Sequence, residues 1–97
     1  MESDHGVFDR ELAKLAQTPI EEVFAYPESE DLSHLMDGAK TSLRRYRESQ
    51  DDGSISIVFH YYRPRILDTG TVRAAGYRFS TDGTYSRLKH EELRGYI

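Results

Sequence analysis

Apolar side chains follow two rhythms along this chain, a helical one before Gly53 and a strand-like one after it. Between Val7 and Gln17, Phe8, Leu12 and Leu15, with Ala16, recur at the i, i+4, i+7 spacing of a half-buried helix. Asp4 is placed to cap it, and Asp9 and Glu11 sit near its positive end. Thr18-Pro19-Ile20-Glu21 is a second start signal, with proline at the first helical position, and Pro27 stops the short segment Ile20 to Tyr26. The longest periodic stretch comes next. Leu32, Leu35, Met36, Ala39, Leu43 and Tyr46 form a continuous apolar stripe at helical spacing. Ser29 is its expected cap, Glu30 and Asp31 load its first turn, and Arg44, Arg45 and Arg47 load its last. The pattern predicts a helix there.

After Gly53 the period falls to two. Ile55, Ile57, Phe59 and Tyr61 alternate with Ser56, Val58, His60 and Tyr62, which predicts a strand from about Ser54 to Arg63, ended by Pro64. A second strand is expected over Val72 to Thr81, with Gly76 marking a bulge or a close backbone approach. Asp82-Gly83 reads as a two-residue hairpin turn. Folding about it sets Phe79 opposite Ser86 and Tyr77 opposite Leu88 on one face, and Arg78 opposite Arg87 and Ser80 opposite Tyr85 on the other.

The fold expected from this pattern is α+β in ααβββ order, with two or three N-terminal helices packed on a three-stranded antiparallel sheet. One domain spans residues 1–97, with residues 1–6 a candidate disordered tail. The expected core is Leu32, Leu35, Met36, Ala39, Leu43, Ile55, Ile57, Phe59, Tyr77, Phe79 and Leu88.

Charge divides the chain. Residues 1–53 carry thirteen acidic and six basic side chains, and residues 54–97 carry four and seven, within a net charge of −4. The polarity runs acid first, base last. There is no cysteine, so disulfides and thiolate chemistry are excluded. The acidic start Met1-Glu2-Ser3-Asp4-His5 has no apolar run behind it, and no window approaches the length of a membrane span. A cytoplasmic protein with no membrane partner is the expectation.

Few motifs carry chemistry. Asp68-Thr69-Gly70-Thr71 resembles the catalytic loop of the aspartic proteases, which would imply two carboxylates shared across a dimer. Its late position behind a helical first half fits a turn between two strands instead. Ala13, Gln17 and Val23 have the anchor spacing of a helix-turn-helix, which resembles a DNA-binding unit over about sixteen residues. Glu21 and Glu22 at the start of its second helix would meet phosphates, so the spacing reads as helix packing. His5, His34, His60 and His90 are scattered and show no metal-ligand spacing. No cofactor, metal or catalytic constellation is predicted.

His60-Tyr61-Tyr62-Arg63-Pro64-Arg65 is the most unusual local composition. With seven tyrosines and no readable active site, the chain is expected to be a small non-enzymatic binding or regulatory protein acting through protein–protein contact. The expected partner is another protein or a second copy in a homodimer. Tyr62, Arg78, Tyr85 and Arg87 are the expected contact residues, on one exposed sheet face. The alternative is RNA or single-stranded nucleic acid on that Tyr/Arg face, and a small enzyme ranks third.

Overall fold

A computed structural model describes residues 3–65 and 70–97. Helix α1 runs Asp4–Ala16 and helix α2 Ile20–Phe24; strands follow at β1 Ser29–Asp31, β2 Ser42–Ser49, β3 Ile55–Arg63, β4 Thr71–Phe79 and β5 Tyr85–Arg87. Short 3-10 segments occupy Ser33–Leu35 and His90–Tyr96. The strands form one antiparallel sheet in the order β1-β2-β3-β4-β5, so each pairs with its neighbours in sequence. The class is α+β, but the sheet has five strands rather than three.

The missing strands come from the stretch expected to be the longest helix. Ser29–Asp31 and Ser42–Ser49 are β1 and β2, and the residues between them form a 3-10 turn and a loop. Two local features favour this outcome. Gly38 interrupts the stripe, and Lys40 adopts a positive φ of 60°, which no helix interior accepts. Ala39 is exposed and Leu35 and Met36 only partly buried, so the stripe is not one face. In β2, Leu43, Arg45 and Arg47 alternate toward the helices. The Arg45 guanidinium lies 3.6 Å from the centre of the Tyr26 ring and pairs with Glu30, while Arg47 Nε donates to the Tyr26 carbonyl at 2.6 Å. Their methylene stems fill the space that apolar side chains would otherwise take.

α1 and α2 cover the inner face. Phe8, Leu12, Leu15 and Val23 pack there on Leu43, Ile55, Ile57, Phe59, Tyr61, Ala75 and Phe79. Ser3 rather than Asp4 caps α1, its Oγ accepting from Gly6 N–H at 3.0 Å. The Asp4 carboxylate accepts from the N–H groups of Asp37 and Gly38 at 2.8 and 3.0 Å, tying the helix start to the loop before β2. Pro19 precedes α2 with no side-chain cap; the Thr18 hydroxyl donates back to the Lys14 carbonyl. Ala13 and Gln17 are exposed while Val23 is fully buried, so the helix-turn-helix spacing does not bring two helices together at Ala13.

The β5 register differs from expectation by one residue. Tyr77 pairs with Arg87, Arg78 with Ser86 and Phe79 with Tyr85. Ser80 and Thr84 close a three-residue loop, Thr81-Asp82-Gly83, with Gly83 at φ +90°. The β2–β3 loop, Asp51-Asp52-Gly53, has the same form, with Gly53 at φ +87°. In both, the aspartate Oδ1 accepts from the N–H and the hydroxyl of the residue after glycine: 3.0 and 2.5 Å from Ser54 to Asp52, and 2.9 and 2.7 Å from Thr84 to Asp82. A glycine in the left-handed region makes the three-residue loop the stable choice. One extra loop residue turns every β5 side chain to the other face. Leu88 therefore leaves the main core and joins Val58 and Leu93 in a second cluster on the outer face.

β4 carries no bulge, since its ladder to β3 is unbroken from Phe79 to Thr71. Gly76 marks a close approach: a Cβ there would lie 1.8 Å from the Ile57 carbonyl oxygen. Asp68 and Thr69 lie outside the described residues, between β3 and β4.

Two outcomes follow from these contacts. Gly76→Ala should lower stability in chemical denaturation by roughly 1–3 kcal/mol, because two central backbones must separate; an unchanged midpoint would contradict the close approach. The hydroxyl and N–H donors of Ser54 and Thr84 hold the Asp52 and Asp82 carboxyls below the usual carboxylate range. A depressed folded pKa gives stability that is present above the unfolded value of about 3.9 and lost as pH falls through the folded one. The Asp52→Asn/Asp82→Asn variant should therefore lose less melting temperature between pH 5 and pH 2 than the parent chain.

Candidate interaction surface on the outer sheet face

The outer face is built from alternate residues of β2, β3 and β4, and only part of it is covered. After Leu88 the chain crosses this face as the 3-10 segment His90–Tyr96, laying Leu93 on Val58 with Ala74 and Tyr96 beside them. Glu92 fastens the segment: its carboxylate accepts from Arg78 at 2.5 Å and from the Lys89 N–H at 3.1 Å. The Tyr96 ring lies 5.4 Å from that of Tyr46, and its hydroxyl donates to Glu48 at 3.2 Å. Burial first, and then the negative charge of Glu48, push the Tyr96 phenol above its usual pKa.

Beyond this cover no described element crosses the outer face. Cross-strand pairing puts Ser42, Tyr62 and Val72 in one row and Arg44, His60 and Ala74 in the next. Tyr62 and His60 are half-buried, Arg44 is exposed, and Val72 is 38% exposed. β1 flanks the second row: Arg44 lies 3.9 Å from the Asp31 carboxylate and donates to Ser29 Oγ at 3.3 Å. The array joins an aromatic ring, an imidazole, a shared guanidinium and an aliphatic side chain on a rigid surface. Such a mixture can bury apolar area and exchange hydrogen bonds with a partner.

The four expected contact residues do not share this face. Tyr62 lies in the open array. Arg78 is on the same face but beneath the C-terminal segment, engaged by Glu92. Tyr85 and Arg87 project on the inner side at the β5 margin, through the changed register. There Tyr85, 51% exposed, stands edge-on to Tyr77 with ring centres 5.5 Å apart, and Arg87 lies 5.6 Å from the Tyr77 ring. The two arginines expected to face one another are on opposite sides of the sheet.

Arg44, His60 and Val72 were not among the expected contact residues. His60 and Val72 could have been placed from strand alternation with Tyr62. Arg44 could not, because its segment reads as a helix.

Concavities also lie among the described residues. One, of about 450 Å³, opens between Glu28, Tyr46, Glu48 and Tyr96. A shallower apolar one, of about 270 Å³, lies between Ile20 and Phe24 of α2 and Thr81. The Tyr61 hydroxyl is buried without a hydrogen-bond partner among the described residues, with the His5 ring 5.1 Å from its own. Among the described residues no three His, Asp or Glu side chains are placed to hold a metal ion, and no helix is long and apolar enough to cross a membrane. No protein-family profile, curated protein or solved structure matches this chain.

Proposed function

We propose that this chain is a binding protein that works by protein–protein contact, docking a polypeptide on the open array of Arg44, His60, Tyr62 and Val72. The observation that carries this reading is that the described residues cover only part of the outer face. Part of that face is covered by the His90–Tyr96 segment through Leu93 and Tyr96, pinned by Glu92, and the rest presents Tyr62 and Val72 with nothing described above them. Tyrosine and arginine are the residue types that most often dominate contact energy, and a rigid sheet presents them at low entropic cost. A protein partner is favoured over nucleic acid by charge. Arg44 already shares its charge with Asp31, and the chain as a whole carries −4, whereas phosphate binding draws on uncompensated cations.

The test is a paired pull-down with the parent chain and a Tyr62→Glu/Arg44→Glu variant as baits, both first shown to melt within a few degrees of each other. The variant should lose a specific protein partner with an affinity loss of about tenfold or more, the scale of a hot-spot truncation. Recovery of the same partners by both baits overturns the assignment. Tight, steeply salt-dependent binding of single-stranded oligonucleotides would favour the nucleic-acid reading instead.

A further inference from the structure

β1 is shorter than β2, and a bay opens where it stops. β1 pairs with Arg44 to Tyr46, the Glu28 carbonyl accepts from the Arg47 N–H at 2.9 Å, and no described strand lies beside Glu48 and Ser49 on that side. The concavity of about 450 Å³ occupies this step. Its size falls within the range of roughly 300–1,000 Å³ that small-molecule sites have. Tyr46 and Tyr96 form its aromatic wall, with ring centres 5.4 Å apart and planes inclined at 42°. Glu28 and Glu48 also line it, and both are exposed.

Charge decides what such a bay accepts. Among the described residues neither carboxylate is ion-paired. Glu48 is engaged by the Tyr96 hydroxyl, a neutral group. Arg47 lines the bay as well, but its guanidinium donates to the Tyr26 carbonyl at 2.6 Å and to Ser49 Oγ at 3.4 Å. Two carboxylates against one guanidinium leave the lining negative, which disfavours an anion. A metal ion is disfavoured too, because no three His, Asp or Glu side chains converge among the described residues. Tyr96 adds no phenolate ligand, since burial and Glu48 push its phenol upward and it keeps its proton. A protonated phenol instead offers a neutral ring whose face attracts positive charge. Bare ammonium is strongly hydrated, whereas its methylated forms part with water readily and lie on aromatic faces.

We infer that this bay is a binding site for a methylated ammonium group, seated against Tyr46 and Tyr96 and attracted by Glu28 and Glu48. The inference goes beyond the protein-contact reading and is independent of it, because neither Arg44 nor Tyr62 lines the bay.

The probe is tetramethylammonium chloride, titrated into the full chain while the ring protons of Tyr46 and Tyr96 are followed by NMR. Both rings should shift along a saturating curve with a dissociation constant on the order of tens of millimolar, the scale of two exposed cation–π contacts. tert-Butanol is similar in shape but uncharged, and ammonium chloride is charged but strongly hydrated. Each should bind at least about threefold more weakly. Glu28→Gln/Glu48→Gln, at two exposed positions, should weaken tetramethylammonium binding about threefold or more and remove most of its salt sensitivity. Tyr46→Leu should abolish the saturable response at Tyr96; if that variant does not fold, the glutamine variant decides. Choline and an N-acetylated trimethyllysine amide, run in parallel, separate a free small molecule from a side chain by which of them binds more tightly. Absence of a saturable shift at Tyr46 and Tyr96 overturns the inference. An equal response to tert-butanol or to ammonium chloride does the same, as does a glutamine variant that binds like the parent chain. None of these results touches the outer array, which stands or falls by its own paired pull-down.

Discussion

A strand buried on both faces has to be covered twice, and β3 is such a strand. From Ile55 to Phe59 every side chain is buried, Ile55, Ile57 and Phe59 toward the helices and Ser56 and Val58 toward the other side. α1 and α2 provide the first cover. The 3-10 segment His90–Tyr96 provides the second, and it ends before His60 and Tyr62. Among the described residues, the open array and the half-paired edge of β4 thus adjoin one another, on the part of the sheet that the His90–Tyr96 segment does not cross.

Arginine does much of the joining around that strand, and it does so from inside the layers. Arg45 and Arg47 hold the end of α2 through Tyr26, Arg73 lies 4.3 Å from the Phe8 ring while bonding Asp9, and Arg78 secures Glu92. In each case an apolar stem lies along packed side chains and a polar head reaches a carboxylate, a carbonyl or a ring. Replacing any of them with lysine would keep the charge and lose the planar fork.

This use of arginine explains what the sequence conceals. α1, α2, β3 and β4 are legible because their apolar residues alone carry the period, as Phe8, Leu12 and Leu15 do for α1. β2 is not legible, because its inward positions are Leu43, Arg45 and Arg47, and the partners that make the arginines inward lie 15 to 21 residues earlier in Glu30 and Tyr26. The helical stripe through Leu32, Leu35 and Met36 came from a turn that happens to share the spacing. The open array suffered for the same reason: Tyr62 could be placed from β3 alternation, whereas Arg44 sits on the concealed strand. The loop length that set the β5 register was present as a repeated signal. Asp-Gly followed by a hydroxyl residue occurs at Asp52-Gly53-Ser54 and again at Asp82-Gly83-Thr84, and in both places the hydroxyl and the aspartate close the same loop.

The spatial order of the strands, identical to their order in sequence, has a kinetic meaning. Each hairpin can close without waiting for a distant segment, and two of the closures span only three-residue loops, so little chain entropy is lost before pairing begins to compensate. The docking of α1 and α2, and of the His90–Tyr96 segment on Val58 and Tyr46, requires remote parts of the chain to meet. On this topology the sheet grows by adding one neighbour at a time, and the helices arrive on a surface that is already assembled.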